Sequence, residues 1–118
     1  MERTYFEDKA YDKIDFTKEL LPGGEYDNCT FNSCDFSNAD LSNISFSECE
    51  FAGCNLSMVK LVKTAFKDVK FKDCKLLGLA FDHCSDFLFS VGFDNCILNL
   101  SSFFKLKLKK TKFKNSTL

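Results

Sequence analysis

The chain has 118 residues, of which 45% are hydrophobic and 28% charged, and its formal net charge is −1. That length bounds it to one domain, and no apolar run is long enough to make a membrane-spanning helix. The start, Met1 to Ala10, is polar and acidic, which excludes a secretory signal and makes the cytoplasm the default location.

Met1 to Tyr5 precede any pattern and are expected to be an N-terminal cap or tail. From Phe6 to Phe81 a large apolar residue then stands at every fifth position: Phe6, Tyr11, Phe16, Leu21, Tyr26, Phe31, Phe36, Leu41, Phe46, Phe51, Leu56, Leu61, Phe66, Phe71, Leu76 and Phe81. Residues 82–92 carry a two-residue slip, read as a bulge, and the count resumes at Leu88, Phe93, Leu98, Phe103, Leu108, Phe113 and Leu118. These centres hold 12 of the 15 phenylalanines. On an α-helix five residues turn through roughly 500°, so such a series drifts around the cylinder and forms no stripe. On a flat strand an odd spacing sends successive residues to opposite faces. A sustained period of five therefore requires a corner in nearly every repeat, and four corners close a square coil of about twenty residues.

The corner chemistry is visible two positions after the centres, where 13 of 22 positions hold Gly, Asn, Asp or Ser, among them Asp8, Gly23, Asn28, Asn38, Gly53, Gly78, Ser90 and Asn95. Gly, Asn and Asp tolerate the left-handed backbone that a type II turn needs. Two positions before the centres stand small or apolar residues such as Cys34, Ala39, Ile44 and Val59. The segments Ala39-Asp40-Leu41-Ser42-Asn43, Cys34-Asp35-Phe36-Ser37-Asn38 and Cys54-Asn55-Leu56-Ser57-Met58 resemble the unit A-[D/N]-L-x-x of the pentapeptide-repeat family. The resemblance covers essentially the whole chain. It implies an all-β fold, a right-handed quadrilateral parallel β-helix of about five to six coils.

Counting in twenties assigns the centres to four faces. One face is wholly aromatic: Tyr11, Phe31, Phe51, Phe71, Phe93 and Phe113. A second stacks Phe6, Tyr26, Phe46, Phe66, Leu88 and Leu108, and the other two are richer in leucine. The expected core is Phe31, Phe36, Leu41, Phe46, Phe51, Leu56, Leu61, Phe66, Phe71, Leu76, Phe81, Phe93, Leu98 and Phe103, solid and without room for a ligand. Six of the seven cysteines stand two places before a centre, and Cys34, Cys54, Cys74 and Cys96 form one column. Parallel inward thiols suit neither the disulfide dihedral nor tetrahedral zinc, so they read as small buried hydrophobes in a reducing compartment. The chain stops at Leu118, itself a centre, with no polar cap. The expectation is either a truncated longer repeat protein or a homodimer through the C-terminal coil.

No catalytic constellation, cofactor site or metal site is discernible: His83 stands alone at a corner, and no hydroxyl lies beside a base. The expected function is a non-enzymatic scaffold for an unidentified protein partner. The candidate interaction patch is Phe87, Phe89 and Phe104; Phe87 and Phe89 flank the resumed centre Leu88 and are expected to face outward. Charge divides sharply. Residues 1–58 hold 4 basic and 12 acidic residues, and residues 59–118 hold 12 basic and 5 acidic, so the halves carry −8 and +7. The resemblance also offers a DNA mimic that protects type II topoisomerase, as the quinolone-resistance branch of the family does. That role requires a long acidic surface, and the basic second half departs from it. Nucleic acid is a weaker alternative still, resting on the lysine-rich half alone.

Overall fold

The computed structural model describes residues 3–108 and 111–117, so Leu118, on which the C-terminal homodimer rests, lies outside the described residues. Ten short strands alternate with corners: β1 (Tyr5–Glu7), β2 (Ala10–Asp12), β3 (Glu25–Asp27), β4 (Thr30–Asn32), β5 (Ser45–Ser47), β6 (Glu50–Ala52), β7 (Ala65–Lys67), β8 (Val69–Lys72), β9 (Val91–Asp94) and β10 (Lys112–Lys114). They form two parallel sheets, in the orders β1-β3-β5-β7 and β2-β4-β6-β8-β9-β10. The other two faces are joined by single bridges, one of them running Asp15, Asp35, Asn55, Lys75, Ile97, Thr117. The chain is thus an all-β parallel solenoid whose second sheet counts six rungs.

The step of twenty is written in the register, with Phe31 opposite Phe51 and Phe51 opposite Phe71. Stacking on the all-aromatic face follows: ring centroids lie 4.8 Å apart for Tyr11–Phe31, 4.7 Å for Phe31–Phe51 and 5.2 Å for Phe51–Phe71. Neighbouring faces meet edge-on, as Phe46 does Phe51 at 5.3 Å and 70°. Such aromatic pairs add about 0.5–1.5 kcal/mol beyond the area they bury. Every expected core residue is buried except Phe103, which is only partly covered.

Corners follow the period more strictly than the residue types do. Positive φ occurs at Asn28, Asn38, Asn43, Gly53 and Gly78, and equally at Lys13, Glu48, Met58, Lys63, Leu100 and Lys105. Position in the repeat therefore dictates the left-handed conformation, even where a side chain makes it costly. Asp35 and Asn55 steady their corners by accepting the N–H of the residue two places on, at 2.9 and 3.0 Å. Asp40 does the same for Ser42, and hydrogen bonds from Ser42 hold its carboxyl below the ordinary value. One expected corner moves by a residue: Gly24, not Gly23, has the positive φ. A Cβ there would meet the Thr4 carbonyl oxygen at 2.3 Å, so only glycine fits.

The slip is where the sequence reading fails. Backbone N–H groups normally reach a carbonyl 19 residues on, as from Asn43 to Val62; the step is 20 from Lys63 to His83 and 21 from Val69 to Ser90. A 3-10 turn at Phe81–His83 shifts one acceptor locally, but the Ser85 N–H still reaches the Thr64 carbonyl at the ordinary step of 21 back, so both surplus residues fall between Ser85 and Ser90. Leu88 is not a centre. It is 62% exposed at φ 57, a corner residue. Phe89, expected outside, packs against the core with its ring 6.4 Å from that of Phe81. Turning one apolar side chain inward on a three-residue apolar run puts its neighbours out, and the bulge selects Phe89. The regular ladder resumes at Val91 and Phe93.

Candidate interaction surface

The seven cysteines are all free and buried. Six of them, all but Cys84, are also hydrogen-bond donors, which their reading as plain hydrophobes missed. Cys54 Sγ donates to the Phe31 carbonyl at 3.2 Å and Cys74 Sγ to that of Phe51 at 3.1 Å. The buried hydroxyl of Thr64 makes the equivalent bond to Leu41 at 2.7 Å. Burial pushes the thiols of Cys49 and Cys84 up to about 12. In the four-thiol column, hydrogen bonding to Cys54 and Cys96, then burial, raises Cys74, while the same bonds lower its two partners. Each thiol in the column gives its proton to a carbonyl, and burial opposes ionisation at every member. Protonated, enclosed thiols are poor nucleophiles. Among the described residues no group of three His, Cys, Asp or Glu side chains could hold a metal ion. His83 is an exposed residue ending the 3-10 turn.

The candidate patch is split by the bulge. Phe87 and Phe104 are 66% and 68% exposed, whereas Phe89 has turned in, and Leu88 takes the outward place the sequence assigned to Phe89. A surface depression of about 410 Å³ brings Asp86, Phe87, Leu88 and Phe89 together with Lys105 and Lys107 of the next coil. Lysine ammonium groups lie near both exposed rings: Lys67 Nζ is 5.6 Å from the Phe87 centroid and Lys105 Nζ is 5.4 Å from that of Phe104. The result is an apolar corner with a mainly basic rim. Cation–π placement keeps the rings partly screened from water while leaving them open to a partner. Nothing in the spacing alone reveals Leu88 as part of this surface, because it depends on which member of Phe87-Leu88-Phe89 turns inward.

Outward positions on the six-stranded sheet fall into two columns. One runs Ala10, Thr30, Glu50, Lys70, Gly92, Lys112 and the other Asp12, Asn32, Ala52, Lys72, Asp94, Lys114. The charge division of the sequence thus becomes a division along the solenoid axis. At Gly92 a depression of about 220 Å³ opens among Lys70, Lys72, Lys112 and Lys114. No helix among the described residues is long and apolar enough to cross a membrane.

Comparison with known proteins agrees with this architecture. No curated protein sequence matches the chain. Among solved structures, a trypsin-treated form of QnrB1, a plasmid-mediated fluoroquinolone resistance protein, matches with a TM-score of 0.54 and 24% identity. That match covers 98% of this chain but only 55% of the other. Full-length QnrB1 matches with a TM-score of 0.51 at 16% identity, over 98% of this chain and 93% of that one. These likenesses concern the fold. The sequence model of the pentapeptide repeat region matches residues 24–87 and 44–118. With most of the chain inside that match and the coil it implies present in the structure, the chain belongs to the pentapeptide-repeat family.

Proposed function

We propose that this chain is a non-enzymatic scaffold that binds a protein partner through the corner at Phe87 and Leu88 together with the exposed Phe104. The observation that carries the reading is the exposure of Phe87 and Leu88 at a bulge in an otherwise regular coil, with Phe104 exposed next to Lys105, which lines the same depression. A rigid rod filled by its own side chains offers surface rather than a pocket, and solvent-facing aromatics in a fixed frame are suited to anchoring a partner. Seven unpaired buried thiols fit a reducing compartment such as the cytoplasm. The test is quantitative affinity capture from the source cells, comparing the wild type with a Phe87→Ser/Phe104→Ser variant. The exposed substitutions are expected to leave thermal stability within about 0.5 kcal/mol of the wild type and to deplete a specific partner. An unchanged set of captured proteins would refute the assignment.

A second reading is topoisomerase protection by DNA mimicry. It is supported by the fold shared with QnrB1 and by the acidic outward residues Glu7, Glu25 and Asp27 on the first sheet. The lysines of the upper coils oppose it, because a DNA mimic must stay negative along its length. Gyrase supercoiling measured with a quinolone, with and without excess protein, decides: no protection ends this reading.

A further inference from the structure

We propose that the outward face of the six-stranded sheet is self-complementary and pairs two copies of this chain, face to face with their axes antiparallel. Gly92 stands on this face between Lys70 and Lys112. Its φ is not positive and a Cβ there would meet nothing within 4 Å, so the fold itself does not require glycine. Glycine in a strand interior weakens the strand and often marks the close approach of another chain. In the neighbouring column the same rung carries Asp94, set between Lys72 and Lys114. Gly92 instead leaves an open notch between Lys70 and Lys112.

A two-fold axis parallel to the strands, passing between β6 and β8, reverses the order of the rungs but keeps each column opposite itself. It places Glu50 against Lys70 of the other copy, Asp12 against Lys114 and Asn32 against Asp94. Thr30 falls opposite Gly92, a small side chain facing the notch. Ala10 and Ala52 face Lys112 and Lys72. No pair brings like charges together. Moving the axis half a rung toward the C-terminus, onto β8, sets Lys70 on Lys70 and Lys72 on Lys72. Half a rung the other way, onto β6, sets Glu50 on Glu50 and Asp12 on Asp94. Like charges directly opposed are unfavourable, which rules out both half-rung shifts. A full-rung shift either way opposes no like charges but leaves two rungs of each copy uncovered, so charge and full overlap together select this register. The occupant is a second copy because the complementary pattern is present on the same face. Six rungs span about 24 Å along the axis, which puts this interface at the small, weak end of specific contacts. Charge-charge pairing across it is salt-sensitive.

The test uses sedimentation of the full chain at about 20 mM and about 500 mM salt, where the Debye length falls from about 20 Å to about 4 Å. Wild type is expected to associate at low salt and to dissociate at high salt. Lys70→Glu and Glu50→Lys, both on outward positions of the sheet and expected to leave the circular dichroism spectrum unchanged, are each expected to self-associate about tenfold more weakly. Mixed one to one, the two variants are expected to recover association, since each then meets its opposite on both sides of the axis. Gly92→Gln, which fills the notch, is expected to weaken the wild-type association. Folded variants that fail to associate when mixed would overturn the proposal, and so would association that survives both single substitutions. A wild type that stays monomeric at low salt yet binds poly-glutamate or an oligonucleotide through Lys70 would also overturn it, assigning the face to an acidic partner instead.

Discussion

Replacing Leu88 by Asn separates the fold described here from the one that counting by fives predicts. As a centre, Leu88 would be buried, and truncating it to a polar side chain would cost about 2–5 kcal/mol for the lost apolar volume, with a further penalty for the enclosed amide. In the structure Leu88 stands at a corner with φ 57 and 62% of its surface exposed. A left-handed backbone costs a branched L-residue about 1–2 kcal/mol, much of which Asn avoids. Against that, roughly a third of the leucine surface is covered, worth at most about 1 kcal/mol. The balance lies between about zero and 1 kcal/mol of added stability, and 1 kcal/mol moves the melting temperature of a domain this size by about 4 °C. Urea and thermal denaturation of Leu88→Asn, with Leu98→Asn as the internal contrast, give the measurement. Leu98 is 1% exposed and is expected to show the full loss. A loss of 2 kcal/mol or more in Leu88→Asn would refute the corner assignment.

Two further outcomes follow from the stacked core. Phe51→Ala removes a ring stacked at 4.7 Å and 5.2 Å between those of Phe31 and Phe71, and is expected to destabilise the chain by about 3–5 kcal/mol in urea. Tyr11→Ala is expected to cost less, because Tyr11 is only partly buried in the first coil. The thiols set an alkaline limit. Cys49 and Cys84 rise from 9.0 to about 12 because burial disfavours the thiolate. Their contribution is therefore fully present below pH 9.0 and is lost as pH climbs toward about 12. Urea midpoints should hold steady to about pH 8.5 and fall above it, and Cys49→Val should reduce that fall; a midpoint independent of pH up to about 11 would contradict the buried thiols.

Most of the fold was legible because the repeat repeats its physics. A large side chain enters the axis, a corner follows, and each coil covers the last, so one motif read sixteen times leaves little choice of architecture. The stacking of Phe31, Phe51 and Phe71, and the burial of the cysteine column, both follow from counting alone. Less of the candidate surface was legible. Phe87 and Phe104 could be named as exposed, but Phe89 and Leu88 exchange roles, because Phe87-Leu88-Phe89 offers three apolar neighbours and the count reaches Leu88 only by extrapolation back from Phe93. The hydrogen bonds from the thiols to centre carbonyls were invisible as well, since each joins residues 23 apart for Cys54 and Cys74.

The sequence by itself determined the coil, its four faces and the separation of charge between its halves, because a period of five admits only a chain that bends at every repeat. Only the tertiary structure decided how two surplus residues are accommodated. That choice depends on which carbonyls of the coil below are left to bind, from Thr64 to Phe66, and no spacing in the chain records it. The column Lys70, Gly92 and Lys112, by contrast, already follows from counting, because each stands one place before Phe71, Phe93 and Phe113.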